Sequence, residues 1–221
     1  NSIQTMKAVH ALAVLGHEVV LIVPFASGQH HASVWQELAH FYGLNHEFKI
    51  EYLPTASRRL FFYSAIRHAK KKKPDLLYVW PLQSAVLGLF SNLPVVLEMH
   101  DLPSGQIGPL WYRYFRDSKG KKRIAAVTTA LKTELQRVYE ETKTPLDFVI
   151  APNGVELERF ANLPDHKTAQ FQTGLKDATI VMCTGHLYSG RGVELFIHLA
   201  EKFAPKGVEF VWVGGNQTEI D

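Results

Sequence analysis

Short apolar runs alternate with amphipathic stretches along this chain, and that alternation restricts its folds more than any other feature. A helical pattern comes first, with Met6, Val9, Leu12, Ala13 and Leu15 near one face and Gly16 supplying a stop. HEVVLIVP follows, a continuous β-branched run of the kind found in strands buried on both faces. FKIEYL, DLLYVW, PVVLEMH, IAAVTT and LDFVIAPNG read as further strands, and SRRLFFYSAIRHAKKKK, QSAVLGLF, IGPLWYRYFRD and ALKTELQRVYEE as the helices between them. Strands and helices in this order predict an α/β fold in which a parallel sheet of about six strands carries helices on both faces.

The polar segment ELERFANLPDHKTAQFQTGLKDA breaks the rhythm and reads as a linker. TIVMCTG, a helix from about Val193 to Phe203, and VEFVWVGG then restart it. The expected organisation is a Rossmann-like N-terminal domain over 1–160, a linker over 161–177 and the start of a second such domain over 178–221. A domain that opens on a helix with no preceding strand, and another that stops soon after its second strand, read together as a fragment.

Charge and cysteine usage narrow the function classes. With 24 basic and 21 acidic residues, a net +3, the chain has no general nucleic-acid footprint. The single cysteine, Cys183, lies in an apolar strand-like run and reads as a buried, inert thiol in a reducing compartment. No apolar run approaches the roughly 18 residues of a membrane span, and the start lacks the charged region and cleavage site of a signal peptide. A cytoplasmic protein, in places peripheral to the inner face of the membrane, is the expectation.

The stretch TGHLYSGRGVELF, Thr184 to Phe196, carries the clearest chemistry. Gly185 follows a strand directly, so the backbone there can approach a ligand with no Cβ in the way. The next helix begins near Gly190 to Val193, which aims free N–H groups and a partial positive charge at the same place. Arg191 adds a planar fork suited to two phosphate oxygens, so the stretch reads as a diphosphate site. It is not a P-loop, because Arg191 and Gly192 stand where that motif needs Lys and then Ser or Thr; nor do glycines at 185, 190 and 192 make the dinucleotide pattern. A glycine-rich turn with a solvent-facing arginine is the plainer alternative on these residues alone.

Several stretches together resemble the retaining nucleotide-sugar glycosyltransferases of the GT-B fold, in particular family four. They are TMKAVHALAVLGHEVVLIVP, KKKPDLLYVW, VVLEMHD, VTTALKTEL, VIAPNGVELERF, TGHLYSGRGVELF and VWVGG, in that order and over nearly the whole chain. The resemblance implies two Rossmann-like domains, the first binding mainly the acceptor and the second the sugar nucleotide. It implies transfer of a sugar from a nucleoside diphosphate to an acceptor hydroxyl with retention of configuration. In it the diphosphate is held by the turn at Gly185 and by Arg191, where the family usually has Lys. His186 stands where the family often has Arg, and a histidine is mostly neutral at pH 7 unless its pKa is raised.

His100 matches the family histidine that contacts the transferred sugar; on the residues alone it would read as a packed or capping histidine. Glu98, two residues before it, shares its strand face. Asn1 and Ser2 match the entry to the first helix and Asn153 and Gly154 the PNG turn, the latter with a structural role. Gly214 and Gly215 close the VWVGG match, and these six residues complete the cleft-lining set. No metal is expected, since no two aspartates stand two apart and adjacent His30 and His31 are poorly spaced for ligation. No cofactor is expected beyond the nucleoside-diphosphate sugar itself. The family's glutamate pair is expected beyond this chain: Glu201 and Glu209 have its separation but straddle Pro205 and Gly207. For that reason the chain is expected not to catalyse by itself.

On the acceptor side, residues 58–73 and 110–123 intersperse arginines and lysines with aromatic and aliphatic residues. They read either as helices whose aromatics pack on the sheet or as a peripheral membrane surface that presents a lipid-linked acceptor; a soluble carbohydrate acceptor needs no such surface. Two other functions compete with the transferase: a sugar-nucleotide epimerase on the same fold, and a non-catalytic binding module that keeps only the scaffold.

Overall fold

The computed structural model describes residues 2–26, 34–55, 60–139 and 146–216. They fall into two compact units, Asn1–Val155 and Glu156–Asp221.

In the first unit, helix α1 (Ser2–Val14) ends where Gly16 turns left-handed at φ 87° and the N–H of His17 returns to the carbonyl of Leu12. Strands β1 (Val20–Ala26) and β2 (Lys49–Thr55) pair in parallel. Between them lies α2 (Trp35–Tyr42), which the sequence reading does not anticipate. Its signal was there: Trp35, Leu38, Ala39 and Tyr42 recur at helical spacing before Gly43, and all four pack on a small core of Met6, Ala13, Leu44 and Phe48. Buried His10 of α1 bonds Asn45 at 2.9 Å and fastens the same corner. β1 is half-buried where the sequence predicts cover on both faces, and among the described residues it ladders with β2 alone.

A second sheet follows in strict order: β3 (Leu77–Val79), β4 (Val95–Met99), β5 (Lys122–Ala126) and β6 (Phe148–Ile150), every ladder parallel. The expected six parallel strands are therefore present, arranged as two sheets. Helices α3 (Phe61–Lys72), α4 (Leu82–Phe90), α5 (Gly108–Asp117) and α6 (Thr129–Tyr139) connect them. The main core joins Ala85, Val86 and Leu89 of α4, Val95, Leu97 and Met99 of β4, and Ile124 and Ala126 of β5. Tyr112 and Phe115 of α5 and Leu131 and Leu135 of α6 complete it, spaced three and four residues apart as one buried face requires. Tyr112 and Phe115 are fully buried, so these two aromatics of the basic stretch pack on the sheet.

In the second unit, residues 161–177 hold a helix, α7 (His166–Thr173), capped by Asp165, whose carboxylate accepts from the N–H groups of Lys167 and Thr168 at 3.1 Å. Strands β7 (Thr179–Thr184) and β8 (Val208–Val213) pair in parallel, joined by α8 (Val193–Phe203). Phe196 of α8 meets Phe210 and Trp212 of β8 edge-on, each at 5.2 Å, which fixes the face of the strand turned to the helix. Cys183 is half-buried in β7, less enclosed than its apolar surroundings in the sequence predict.

Candidate functional site

In each unit some of the singled-out residues follow the carboxyl ends of parallel strands, where open α/β sheets present ligand-binding groups: His100, Asn153 and Gly154 in the first, Gly185, Gly214 and Gly215 in the second.

In the second unit, Gly185 follows β7 and Gly214 and Gly215 follow its neighbour β8. The two turns touch. The Gly185 N–H donates to the carbonyl of Val213 at 2.9 Å, and its carbonyl accepts the indole N–H of Trp212 at 2.8 Å. Since the 185–186 peptide is trans, pinning that carbonyl turns the His186 N–H the opposite way. Gly185, Gly190 and Gly192 have φ of 143°, 88° and 81°, values that side-chain-bearing residues rarely adopt. Gly192 opens α8, whose amino end has no side-chain cap.

Arg191 is oriented within this turn. Its Nε–H donates to the Tyr188 hydroxyl at 2.9 Å and its guanidinium carbon lies 5.2 Å from the centre of the Tyr188 ring. The two terminal amino groups have no hydrogen bond among the described residues, so they remain as a fork for an anion. His186, the residue after Gly185, is exposed. Sequence reading missed Tyr188, although its position three residues before Arg191 was a usable signal, and it missed Trp212.

In the first unit, His100 follows β4, and Asn153 and Gly154 follow β6, so they lie at one end of the four-stranded sheet with β5 between. Glu98 is buried in β4 and its Oε1 is 2.5 Å from Nε2 of His100. The hydroxyl of Tyr78, on neighbouring β3, donates to Glu98 Oε2. Burial of the hydroxyl, then its bond to Glu98 and the nearby negative charge, push the Tyr78 pKa well above the ordinary phenol range. The ring of Trp80 meets that of His100 edge-on at 6.5 Å, and its buried indole N–H has no partner among the described residues. Asn153 and Gly154 are exposed; Gly154 is not in the left-handed region and a Cβ there would meet nothing. Ser2 begins α1, while Asn1, His30 and His31 lie outside the described residues. Glu201 is on α8 and Glu209 on β8, so they form no pair along one helix. Among the described residues no three His, Cys, Asp or Glu side chains come together.

Residues 3–159 match the family model described as Glycosyltransferase Family 4. Among solved structures the chain is similar to HepE from Anabaena in complex with UDP and glucose, with a TM-score of 0.62 and 16% identity over 93% of this chain and 63% of that one. It is similar also to HepE in complex with UDP-glucose, with a TM-score of 0.56 and 12% identity over 91% and 71%. At these identities the likeness is one of fold: Rossmann-like parallel units of the GT-B type. The chain spans 63% of the length of the first of these structures. No curated protein matches.

Proposed function

The chain belongs to Glycosyltransferase Family 4, and from that premise we propose that it is part of an enzyme that transfers a sugar from a nucleoside-diphosphate sugar to an acceptor hydroxyl. The observation that carries the reading is the turn from Gly185 to Gly192, which holds three positive-φ glycines, the Arg191 fork and the uncapped start of α8 within eight residues. When the sugar–phosphate bond breaks, negative charge grows on the leaving diphosphate. Arg191 and the amino end of α8 then stabilise it electrostatically. Such a site works without a metal ion. We assign His100 to a hydroxyl of the sugar, and we infer retention of configuration from the family pattern. UDP, present in the HepE complexes, is the first nucleotide to try.

Calorimetric titration of the chain with UDP and with inorganic pyrophosphate tests the assignment. A charge-assisted bond contributes about 1.5–3 kcal/mol, and every 1.4 kcal/mol is a factor of ten, so Arg191→Ala weakens both ligands by about tenfold or more. Tyr188→Phe, which frees the fork without removing it, weakens both by about two- to tenfold. Equal affinities for the wild type and Arg191→Ala would remove the diphosphate from this turn. UDP bound with no sugar transferred by the enzyme would favour the non-catalytic module instead.

For the acceptor we propose a lipid-linked substrate reached at an anionic membrane surface. Arg67, Lys70, Lys71 and Lys73 are exposed at the carboxyl half of α3, and Leu60, Tyr63, Ile107, Leu110 and Tyr114 are exposed on or beside α3 and α5, which both pack on α4. Three further cations of these stretches are engaged: Lys72 with Glu51, Arg116 with Asp117, and Lys122 with the carbonyls of Phe115 and Arg116. Arg58 and Arg59 lie outside the described residues. No described helix is long and apolar enough to cross a membrane, so such an association is peripheral. Sedimentation with anionic vesicles at low salt, but not with neutral ones, is the expected result; no difference between them would refute the surface.

A further inference from the structure

Glu98 is buried, yet among the described residues its only ion-pair partner is His100. Such a carboxylate depends on its hydrogen bonds, since leaving one oxygen unsatisfied costs its desolvation. Both oxygens are used, Oε2 by the Tyr78 hydroxyl and Oε1 by Nε2 of His100 at 2.5 Å. Because a carboxylate only accepts, the proton between Glu98 and His100 sits on Nε2.

We infer that Tyr78 is a positioning residue: by holding Glu98 Oε2 it commits Oε1 to the Nε2 proton of His100 and leaves Nδ1 as the nitrogen offered to a substrate hydroxyl. The raised pKa of Tyr78 keeps its hydroxyl protonated and therefore a donor. With Nε2 spent, Nδ1 accepts a hydrogen bond when the ring is neutral and donates one when it is charged. A hydroxyl satisfies both states, whereas a phosphate oxygen satisfies only the second. The chemistry of this corner therefore selects an uncharged hydroxyl, the complement of the anion site in the second unit. The role for a sugar rests on the glycosyltransferase reading; the proton placement stands apart from it.

The test is a long-range proton–nitrogen correlation spectrum of the chain carrying 15N-histidine, recorded at about pH 9, where an ordinary imidazole is neutral. In the wild type, His100 shows a protonated Nε2 and a bare Nδ1, well separated. Tyr78→Phe deletes only the hydroxyl of a residue that is 37% exposed. In that variant the released carboxylate turns, the two tautomers mix, and the gap between the nitrogen resonances shrinks. Glu98→Gln gives the same mixing by a second route, because an amide offers a donor as well as an acceptor to the ring, and it serves if Tyr78→Phe does not fold. A bare Nε2 in the wild type would overturn the proton placement. A spectrum unchanged in Tyr78→Phe, or in Glu98→Gln should that variant stand in for it, would overturn the positioning role. If the nitrogen pattern is as expected but UDP and pyrophosphate do not bind, the donor reading fails and the Tyr78–Glu98–His100 arrangement remains.

Discussion

A single methyl group added at Gly214 tests how the glycine turn after β7 is built. A Cβ at this position would stand 2.4 Å from the carbonyl oxygen of Gly185, 3.0 Å from its carbonyl carbon and 3.2 Å from its nitrogen. All three are backbone atoms, so no side chain can swing aside. Gly185 is also tied at both ends, its N–H to Val213 and its carbonyl to the Trp212 indole. Alanine at 214 therefore separates the turns after β7 and β8. Its cost combines about 1–2 kcal/mol for a side chain at positive φ, about 1–3 kcal/mol of overpacking and part of a hydrogen bond at about 1 kcal/mol, so roughly 2–5 kcal/mol. Gly190→Ala is the matched control: its φ is also positive, at 88°, but its Cβ would meet nothing within 4 Å, so only the conformational cost of about 1–2 kcal/mol applies. Hydrogen exchange read by mass spectrometry on peptides covering β7 and β8 gives the local opening energy of each variant. Gly214→Ala should lose at least twice the protection that Gly190→Ala loses, and its UDP affinity should fall with it. Equal losses in the two variants would show that the close approach of Gly214 to Gly185 does not constrain the turn.

Two further outcomes are expected. Gly88 of α4 lies where a Cβ would sit 2.9 Å from Leu77 Cδ1 and 3.0 Å from Val95 Cγ2, so Gly88→Ala overpacks the main core and destabilises the first unit by about 1–3 kcal/mol in urea titration; an unchanged midpoint would refute that contact. Lys72, His68 and Lys49, in that order, hold the Glu51 carboxyl down from 4.5 to about 2. A group depressed on folding stabilises above its unfolded pKa and loses that contribution as pH falls through its folded one. Thermal stability should therefore decline between pH 4.5 and about 2 with a component that Glu51→Gln lacks and that salt weakens; identical pH profiles for the two proteins would contradict it.

What the sequence made legible follows the range of the interactions. Local patterns located the strands and most helices, because apolar spacing and stop residues such as Gly16 act within one element. They placed Glu98 beside His100 for the same reason, since residues two apart share a strand face. Tyr78 was invisible to that reasoning. It lies 20 residues from Glu98, and its contact depends on β3 pairing with β4 in the register that sets Leu77 against Val95. The Trp212 bond to Gly185 spans 27 residues and depends likewise on how β8 pairs with β7. α2 was overlooked because its eight residues give barely two turns of apolar spacing, and that spacing is what packs it on the small core. In the glycine turn, composition pointed to Arg191 and its glycines, but the orientation of the Arg191 fork required knowing that Tyr188 folds back over it.

The first unit's two sheets each sit on their own apolar cluster, Met6, Ala13, Leu44 and Phe48 beneath β1 and β2, and the larger set beneath β3 to β6. Ile22 of β1 packs on the larger cluster, and α3 touches both β1 and β2 while its Ile66 and Ala69 belong to that cluster; among the described residues no ladder joins the two sheets. What the segment from α1 to β2 does is therefore passed to the core around Glu98 and His100 by side-chain packing at Ile22 and α3, with no backbone ladder to carry it.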